Sequence, residues 1–338
     1  MSDKSFCKES LLAALAKIQG QKILVIGDLI LDRYVWGKVE RISPEAPVPI
    51  VEVKKIEDRL GGAGNVVRNL SNLGCQVFVC GYVGDDDEGA VVLKLLRDSN
   101  VGKEGVVIDR EHPTSLKTRI IAHPQQLVRI DREDRSQRAM PLQAAISSLT
   151  DSYLQGVGGV IISDYAKGTI SPMIMEHFKE RSQKGITGRG KVPVVVDPHP
   201  TNYGLYQRIT IAKPNRKEAE AALGRKIPDK AAAVIAAHDL MELWDAEMMM
   251  ITLGEGGMVI TERGKEGGIT LDTVAREVFD VSGAGDTVTA VFTAALAAGV
   301  DLSIAGQLAN IAAGIVVSEV GTVAIRFDVL KKEIEEHY

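Results

Sequence analysis

Three observations predict an α/β fold of three layers, with a mostly parallel central sheet between two sets of helices and a small β-sheet attached to it. Short apolar runs rich in β-branched residues recur along most of the chain, helical patterns separate them, and two stretches break the alternation with strand-like segments of their own. Strands that read as continuous apolar runs are buried on both faces. The helices between them supply the crossovers that parallel pairing requires.

Taken in order, buried strands are predicted at 22–27, 76–81, 159–163, 193–197, 209–212 and 248–252. Helices are predicted between them at 64–73, 88–98, 142–154, 172–184, 216–223 and 231–243. Beyond Asp286 the chain turns helical, and Leu302, Ala305, Leu308, Ala309, Ala312, Ala313 and Val316 fall at 3.6-residue spacing on one apolar face. The exceptions are 34–53, which carries Pro44, Pro47 and Pro49 between strand-like flanks, and 114–131, with alternating runs around Leu116–Ile120 and Leu127–Ile130. Neither is a short connection, so both are expected to form a secondary sheet, either a lid over a site or a face that pairs with a second copy. Without a linker, repeat or low-complexity tract, residues 1–338 read as a single domain.

Composition narrows the function classes. Of 338 residues, 45% are hydrophobic and 25% charged, as in ordinary globular proteins, while a net charge of −5 argues against a general nucleic-acid binder. An anionic substrate must then be held by local groups. Cys7, Cys75 and Cys80 form no CxxC pair, which suits a reducing cytoplasm, and the six histidines lack metal-ligand spacing. The first 21 residues have no signal-peptide core, and no apolar run approaches the roughly 18 residues of a membrane span.

The most informative run is Asp280-Val281-Ser282-Gly283-Ala284-Gly285-Asp286-Thr287, which opens a small-residue helix. Glycines around one alanine at a helix start leave amide groups aimed at a common point, where the helix dipole favours an anion. Asp286 inside that pocket is placed to take a proton from an attacking hydroxyl, so the run reads as a phosphoryl-transfer site; the alternative is a capping aspartate on a softened helix. Two other nucleotide motifs fail: 185–191 fits the start of a P-loop but continues into Val192 and Pro193, and no GxGxxG follows the first strand.

Asp28 and Asp32 follow the first strand, on the side where open α/β sheets place ligands, and suit sugar hydroxyls; the alternative is a turn cap and a solvated carboxylate. Gly61-Gly62-Ala63-Gly64-Asn65 opens a helix whose free amides and Asn65 side chain can meet a polyol. Asn215 and Glu218 read either as a capping box or as groups facing Mg²⁺, its waters and nucleotide phosphates. Thr252-Leu253-Gly254-Glu255-Gly256-Gly257 is a strand-to-strand turn that a nucleotide can approach, and equally a plain tight turn. Lys167, after the 159–163 strand, either offsets phosphate charge or is a solvated loop lysine; Asp197 either helps organise the Mg²⁺ shell or shapes its turn.

Taken in order, Gly61-Gly62-Ala63-Gly64-Asn65 through Leu73-Gly74, Asn215-x-x-Glu218, Thr252-x-Gly254-x-x-Gly257 and Asp280-x-x-Gly283-Ala284-Gly285-Asp286 resemble the ribokinase (PfkB) family of sugar and nucleoside kinases. The likeness covers nearly the whole chain and implies a ribokinase-like α/β/α fold with a small β lid. Gly27-Asp28-x-x-Leu31-Asp32-Arg33-Tyr34, the run from Arg41 to Pro49, Gln125-Gln126-Leu127-Val128-Arg129-Ile130-Asp131 and Ser163-Asp164-Tyr165-Ala166-Lys167-Gly168 are similar to the branch of that family acting on heptose 7-phosphate.

That resemblance implies ATP-dependent phosphorylation of D-glycero-β-D-manno-heptose 7-phosphate at C1, on the route to ADP-heptose for lipopolysaccharide. It implies Asp286 as base, with Gly283, Ala284 and Gly285 as anion hole. Asp28, Asp32, Gly61, Gly62, Asn65, Arg129, Asp164 and Lys167 would face the sugar phosphate. Asn215, Glu218, Thr252, Gly254, Gly257 and Asn310 would face ATP and Mg²⁺, with Glu218 reaching the metal through water. Asp280 and Ser282 fall where some relatives bind a monovalent cation such as K⁺. A cytoplasmic homodimer formed through the lid, with no nucleic-acid or membrane partner, is expected. The chain departs from the family pattern at His199, at His123-Pro124 and at Ser282; the first two alter local phosphate or substrate contacts, and the third keeps a hydroxyl. No HxGH nucleotidyltransferase signature occurs, so no adenylyltransferase domain is expected. The alternatives are a kinase for another sugar phosphate and a non-catalytic sugar-phosphate sensor on the same fold.

Overall fold

A computed structural model describes residues 6–123, 125–183, 192–275, 278–319 and 321–338. Helix α1 (Lys8–Ile18) leads into β1 (Lys22–Gly27), a hairpin of β2 (Leu29–Ile42) and β3 (Pro49–Gly62), α2 (Ala63–Asn72), β4 (Gln76–Gly84), α3 (Asp87–Asp98) and β5 (Val106–Asp109). A second antiparallel pair, β6 (Ser115–Ala122) and β7 (Gln125–Arg132), precedes α4 (Met140–Leu154), β8 (Gly159–Ser163), α5 (Pro172–Gln183), β9 (Val194–Asp197), β10 (Ile211–Ala212), α6 (Arg216–Leu223) and α7 (Lys230–Leu243). The chain ends with β11 (Met248–Thr252), β12 (Met258–Glu262), β13 (Ile269–Leu271), α8 (Ala284–Ala297), α9 (Leu302–Val316) and α10 (Phe327–His337).

Nine of the described strands form one sheet in the order β13-β12-β11-β10-β9-β8-β1-β4-β5. It is parallel from β11 to β5, and antiparallel where β12 meets β11 and β13. Both faces are covered, as the continuous apolar strands predict. Along β1, Ile23 and Val25 enter one core while Leu24 and Ile26 enter the other; β8, β9 and β11 divide their side chains the same way. Helices α1, α2, α3, α8, α9 and α10 close the first core, and α4, α5 and α7 the second.

Every strand and helix expected within the described residues is present, with shifted ends. The 209–212 strand contracts to Ile211–Ala212, because Thr210 meets the neighbouring strand through its side chain, its hydroxyl accepting from the Val194 N–H at 3.1 Å. Residues 184–191, including the look-alike P-loop and the expected last residue of the 172–184 helix, lie outside the described residues.

The lid is larger than 34–53 and 114–131. A separate sheet in the order β3-β2-β6-β7 starts at Leu29 and returns at Gly62. The charged run Lys54 to Arg59 disguises β3. In the structure, alternate residues pair along one face, Lys55 with Glu57 at 2.7 Å and Arg59 with Glu57 at 2.6 Å. Register sorts this sheet into two faces. Asp32, Tyr34, Lys117, Arg119, Arg129 and Asp131 share the inner face, whereas Val35, Ile56, Ile120, Val128 and Ile130 share the outer one. On that outer face Ile56 is 58% and Ile130 54% exposed.

Candidate active site

The C-terminal ends of the parallel strands bring the candidate residues together. Gly283 caps α8 in the left-handed region (φ +84°), and a Cβ there would stand 2.7 Å from the Asn65 Nδ2, so a side chain at 283 would push Asn65 away. The first i→i−4 bond of this helix start runs from the Thr287 N–H to the Gly283 carbonyl at 3.0 Å. The amide of Gly285 therefore precedes the helical ladder at the positive end of a 14-residue helix, while that of Ala284, expected to be free, donates to the Val281 carbonyl at 3.3 Å.

Asp286, in the first turn of α8, is 4% exposed. Its Oδ2 accepts from Asn65 Nδ2 at 2.9 Å, and its Oδ1 from the Tyr165 hydroxyl at 2.7 Å. Burial, and then the nearby Asp197 carboxylate, push its carboxyl up to about 7, against the pull of the Asn65 and Tyr165 bonds and of Lys213. Tyr165 is held well above the ordinary phenol range by burial and by Asp286, so it stays a donor. The buried Asn65 Oδ1 has no hydrogen-bond partner among the described residues. An orphaned buried acceptor beside a clamped carboxyl is costly unless a ligand supplies the donor.

Behind Asp286 lies a charged lattice. Lys213, directly after β10, is buried and sits 3.1 Å from Asp197 Oδ1, while Thr289 donates to Asp197 Oδ2 at 3.1 Å. Burial lowers the Lys213 pKa, but Asp197 and Glu218 more than offset it, so the ammonium is held above its usual value. Glu218 is raised by burial and then by Asp197. With Asn215 it forms a complete capping box: Asn215 Oδ1 accepts from the Glu218 N–H at 3.0 Å, and Glu218 Oε2 from the Asn215 N–H at 2.8 Å. Thus Glu218, one of the two side chains that start α6, also acts on the Asp197–Lys213 pair.

Among the residues expected to face a nucleotide, Thr252 ends β11 and bridges to Asn215, and its N–H donates to the Pro214 carbonyl at 3.1 Å. Gly254 and Gly257 take positive φ in the turn to β12, as a strand-to-strand turn requires. Asn310, buried on α9, donates from Nδ2 to the Asp272 carbonyl at 2.6 Å. Asp280 accepts from the Ser282 N–H at 2.8 Å and the Gly321 N–H at 3.1 Å, tying together two loops at the end of α9.

The residues expected to face a sugar are more heavily engaged than their sequence suggests. Asp28 is 1% exposed and accepts three backbone N–H groups, from Tyr165 at 2.8 Å, Lys167 at 3.0 Å and Thr169 at 3.0 Å, so its carboxylate shapes the 165–169 loop. The turn that Asp28 builds places Tyr165 against Asp286. Asp32 is not solvated; its Oδ1 takes Arg119 Nη1 at 2.6 Å, and a Cβ on Gly61 would fall 2.4 Å from its Oδ2. Gly62 caps α2 at φ +56°. Asp164 accepts from the Ala166 N–H and Asn202 Nδ2, each at 2.7 Å, and from the Tyr206 hydroxyl; burial and then the neighbouring Asp28 push it up to about 6. Lys167 is buried, not solvated, and pairs with Glu133 at 2.5 Å. Arg129 lies on exposed β7, paired with Asp131 at 2.9 Å.

Four residues of this constellation are absent from the sequence-based set. Tyr165 and Lys213 lie inside runs that were singled out, Ser163–Gly168 and Lys213–Glu218. Asn69, one helical turn beyond Asn65, donates to the Asn65 carbonyl at 2.8 Å and accepts from the Thr287 hydroxyl at 3.0 Å and the Ile325 N–H at 2.9 Å. Arg119 pairs with Asp32 from a separate hairpin, and no local signal marks it.

The model of the pfkB family of carbohydrate kinases matches residues 20–326. The bifunctional protein HldE of Citrifermentans bemidjiense is 44% identical over 302 residues, which cover 89% of this chain and 61% of that protein. That of Pelobacter propionicus is 44% identical over 315 residues, covering 93% and 63%. The chain spans about three fifths of the length of these curated relatives. Among solved structures, phosphofructokinase-2 from Escherichia coli in complex with substrates and products aligns with a TM-score of 0.76 at 18% identity, over 93% of this chain and 98% of that one. Arabidopsis thaliana ribokinase complexed with ribose and ATP aligns with a TM-score of 0.73 at 19% identity, over 94% and 99%. The shared property is the ribokinase-like α/β fold with its smaller sheet.

Proposed function

The chain belongs to the pfkB family of carbohydrate kinases, and from that premise we propose that it transfers the γ-phosphoryl group of ATP to the C1 hydroxyl of D-glycero-β-D-manno-heptose 7-phosphate. The observation that carries the chemistry is Asp286, a buried carboxyl clamped by Asn65 and Tyr165 at the start of α8, with its pKa pushed up to about 7. A base is most effective with a pKa near the working pH. The heptose reading rests on the 27–34, 41–49, 125–131 and 163–168 runs, and the likeness to proteins named HldE supports it.

In the proposed step, Asp286 takes the C1 hydroxyl proton as the C1 oxygen bonds to the γ-phosphorus. The bond to the β–γ bridging oxygen breaks and ADP leaves. The Gly285 amide and the α8 dipole face the charge spread over the phosphoryl oxygens, and the Ala284 amide joins them by giving up its 3.3 Å bond to the Val281 carbonyl. Asn65 Oδ1 offers its unused acceptor to a sugar hydroxyl, and the Asp28-built loop holds Tyr165, and through it Asp286, in place.

Among the described residues no three Asp, Glu, His or Cys side chains gather as a metal-binding group. Mg²⁺ would be bound mainly by water and nucleotide phosphates, with Glu218, raised by burial and by Asp197, holding it through water. Bound there, the ion would neutralise phosphate charge. Thr252, Gly254, Gly257, Asn215 and Asn310 would line the nucleotide, and a monovalent cation at Asp280 and Ser282 is an extension of this reading. The proposal includes a single kinase domain, dimerisation through the apolar outer face of the lid, and the cytoplasm as its compartment, in keeping with three free cysteines.

The test is a panel of heptose and hexose phosphates offered with Mg·ATP and read by ADP release. Preference for heptose 7-phosphate is expected. Preference for a hexose phosphate would replace the substrate, and no transfer to any sugar would favour a sensor.

A further inference from the structure

Lys117 occupies the inner face of the lid, in register with Asp32 on β2 and Asp131 on β7. Both carboxylates are already taken, Asp32 by Arg119 at 2.6 Å and Asp131 by Arg129 at 2.9 Å. The neighbouring Lys167 is likewise paired with Glu133. Lys117 itself has no ion pair or hydrogen bond among the described residues, although it is half-buried. Burial, and then the like charge of Arg129, lower its pKa against the pull of Asp131 and Asp32, and Lys167 adds to the lowering.

A half-buried lysine that makes no direct pair, beside carboxylates already bonded to two arginines and near a third cation, gains a direct partner when a further anion joins the group. The position says which anion. The loop that carries Lys167 begins at Tyr165, whose hydroxyl touches Asp286. The cationic group therefore stands one loop length from the base, on the sugar side and under the lid. A kinase for an unphosphorylated sugar has no use for surplus charge there, because the ATP phosphates lie on the α8 side.

We propose that Lys117, with Lys167 and Arg129 beside it, binds the phosphate already carried by the sugar substrate and so selects phosphorylated over free sugars. This rests on the proposed sugar-phosphate kinase activity and adds a residue and a role to it. Lys117 acts in binding and specificity and takes no part in proton transfer. Its ammonium gains a direct anionic partner when the dianion arrives, so the contact discriminates by charge more than by shape.

The test compares wild type with Lys117→Met and Lys117→Arg, using heptose 7-phosphate and free heptose with Mg·ATP at fixed ionic strength. Lys117→Met should raise KM for the sugar phosphate about 10- to 100-fold, the span of a lost charge-assisted hydrogen bond. KM for ATP should stay within about twofold, the weak use of free heptose should not fall further, and Lys117→Arg should recover most of the loss. A KM for the sugar phosphate within twofold of wild type in Lys117→Met overturns the proposal. So does an equal loss for free heptose, or an arginine variant as impaired as the methionine one. If wild type prefers a hexose phosphate, the same comparison is run on that sugar and its free form. The heptose assignment then falls while the role of Lys117 is judged on its own outcome.

Discussion

Replacing Asp286 with asparagine keeps the shape of the site and removes its ionisation, which gives two effects of opposite sign. The folded carboxyl titrates at about 7 against an ordinary 3.8, a difference of about 3 units, or roughly 4 kcal/mol at 1.36 kcal/mol per unit. Because the folded pKa is raised, the unfolded chain releases this proton first, and wild-type stability falls as pH climbs from about 4 to about 7. Asp286→Asn does not suffer that loss. Between pH 5 and pH 8 the variant should therefore gain about 2–3 kcal/mol relative to wild type, measured by urea unfolding at both pH values. Its turnover should drop by about two to four decades with little change in ATP affinity. Near-normal turnover would remove Asp286 as base, and a stability difference that does not change with pH would refute the argument from burial.

Three further outcomes follow from the same contacts. Since the base must be ionised, kcat/KM should show an acidic limb with an apparent pKa near 7, losing about tenfold per pH unit below it; a flat profile from pH 5.5 to 8 would contradict this. Tyr165→Phe deletes the 2.7 Å bond that favours the carboxylate, so the acidic limb should move upward by about one unit, and a downward move would count against the clamp. Ile130→Glu on the outer face of the lid should convert a dimer into monomers in sedimentation, while an unchanged association state would place the interface elsewhere.

The layered core was legible because β1, β8, β9 and β11 carry apolar residues on both faces, a pattern that only a covered sheet satisfies. The edge strands β5 and β13 were missed because they are short, α1 was missed although Leu11, Ala14, Leu15 and Ile18 fall at helical spacing, and α10 is an amphipathic tail whose apolar residues are few. The lid was located but underestimated, because the salt-bridged face of β3 resembles a charged loop when its cross-strand partners are unknown. In the site, the glycine-framed start of α8 and the Asn215–Glu218 cap could be read from local spacing. What spacing does not carry is long-range pairing: Tyr165 meets Asp286 across 121 positions and Arg119 meets Asp32 across 87. The same limit explains Asp28 and Lys167, whose partners decide that the first builds a loop and that the second is buried.

The central claim is a single event, the movement of phosphorus from ATP to one oxygen of the sugar. It is tested most directly by incubating the protein with Mg·ATP and heptose 7-phosphate labelled with ¹³C at C1, and recording ³¹P and ¹³C NMR spectra of the product. The account predicts one equivalent of ADP and a new phosphate resonance coupled to C1, both forming about two to four decades more slowly in Asp286→Asn. Phosphate on another carbon, or hydrolysis of ATP with the sugar unchanged, would contradict it.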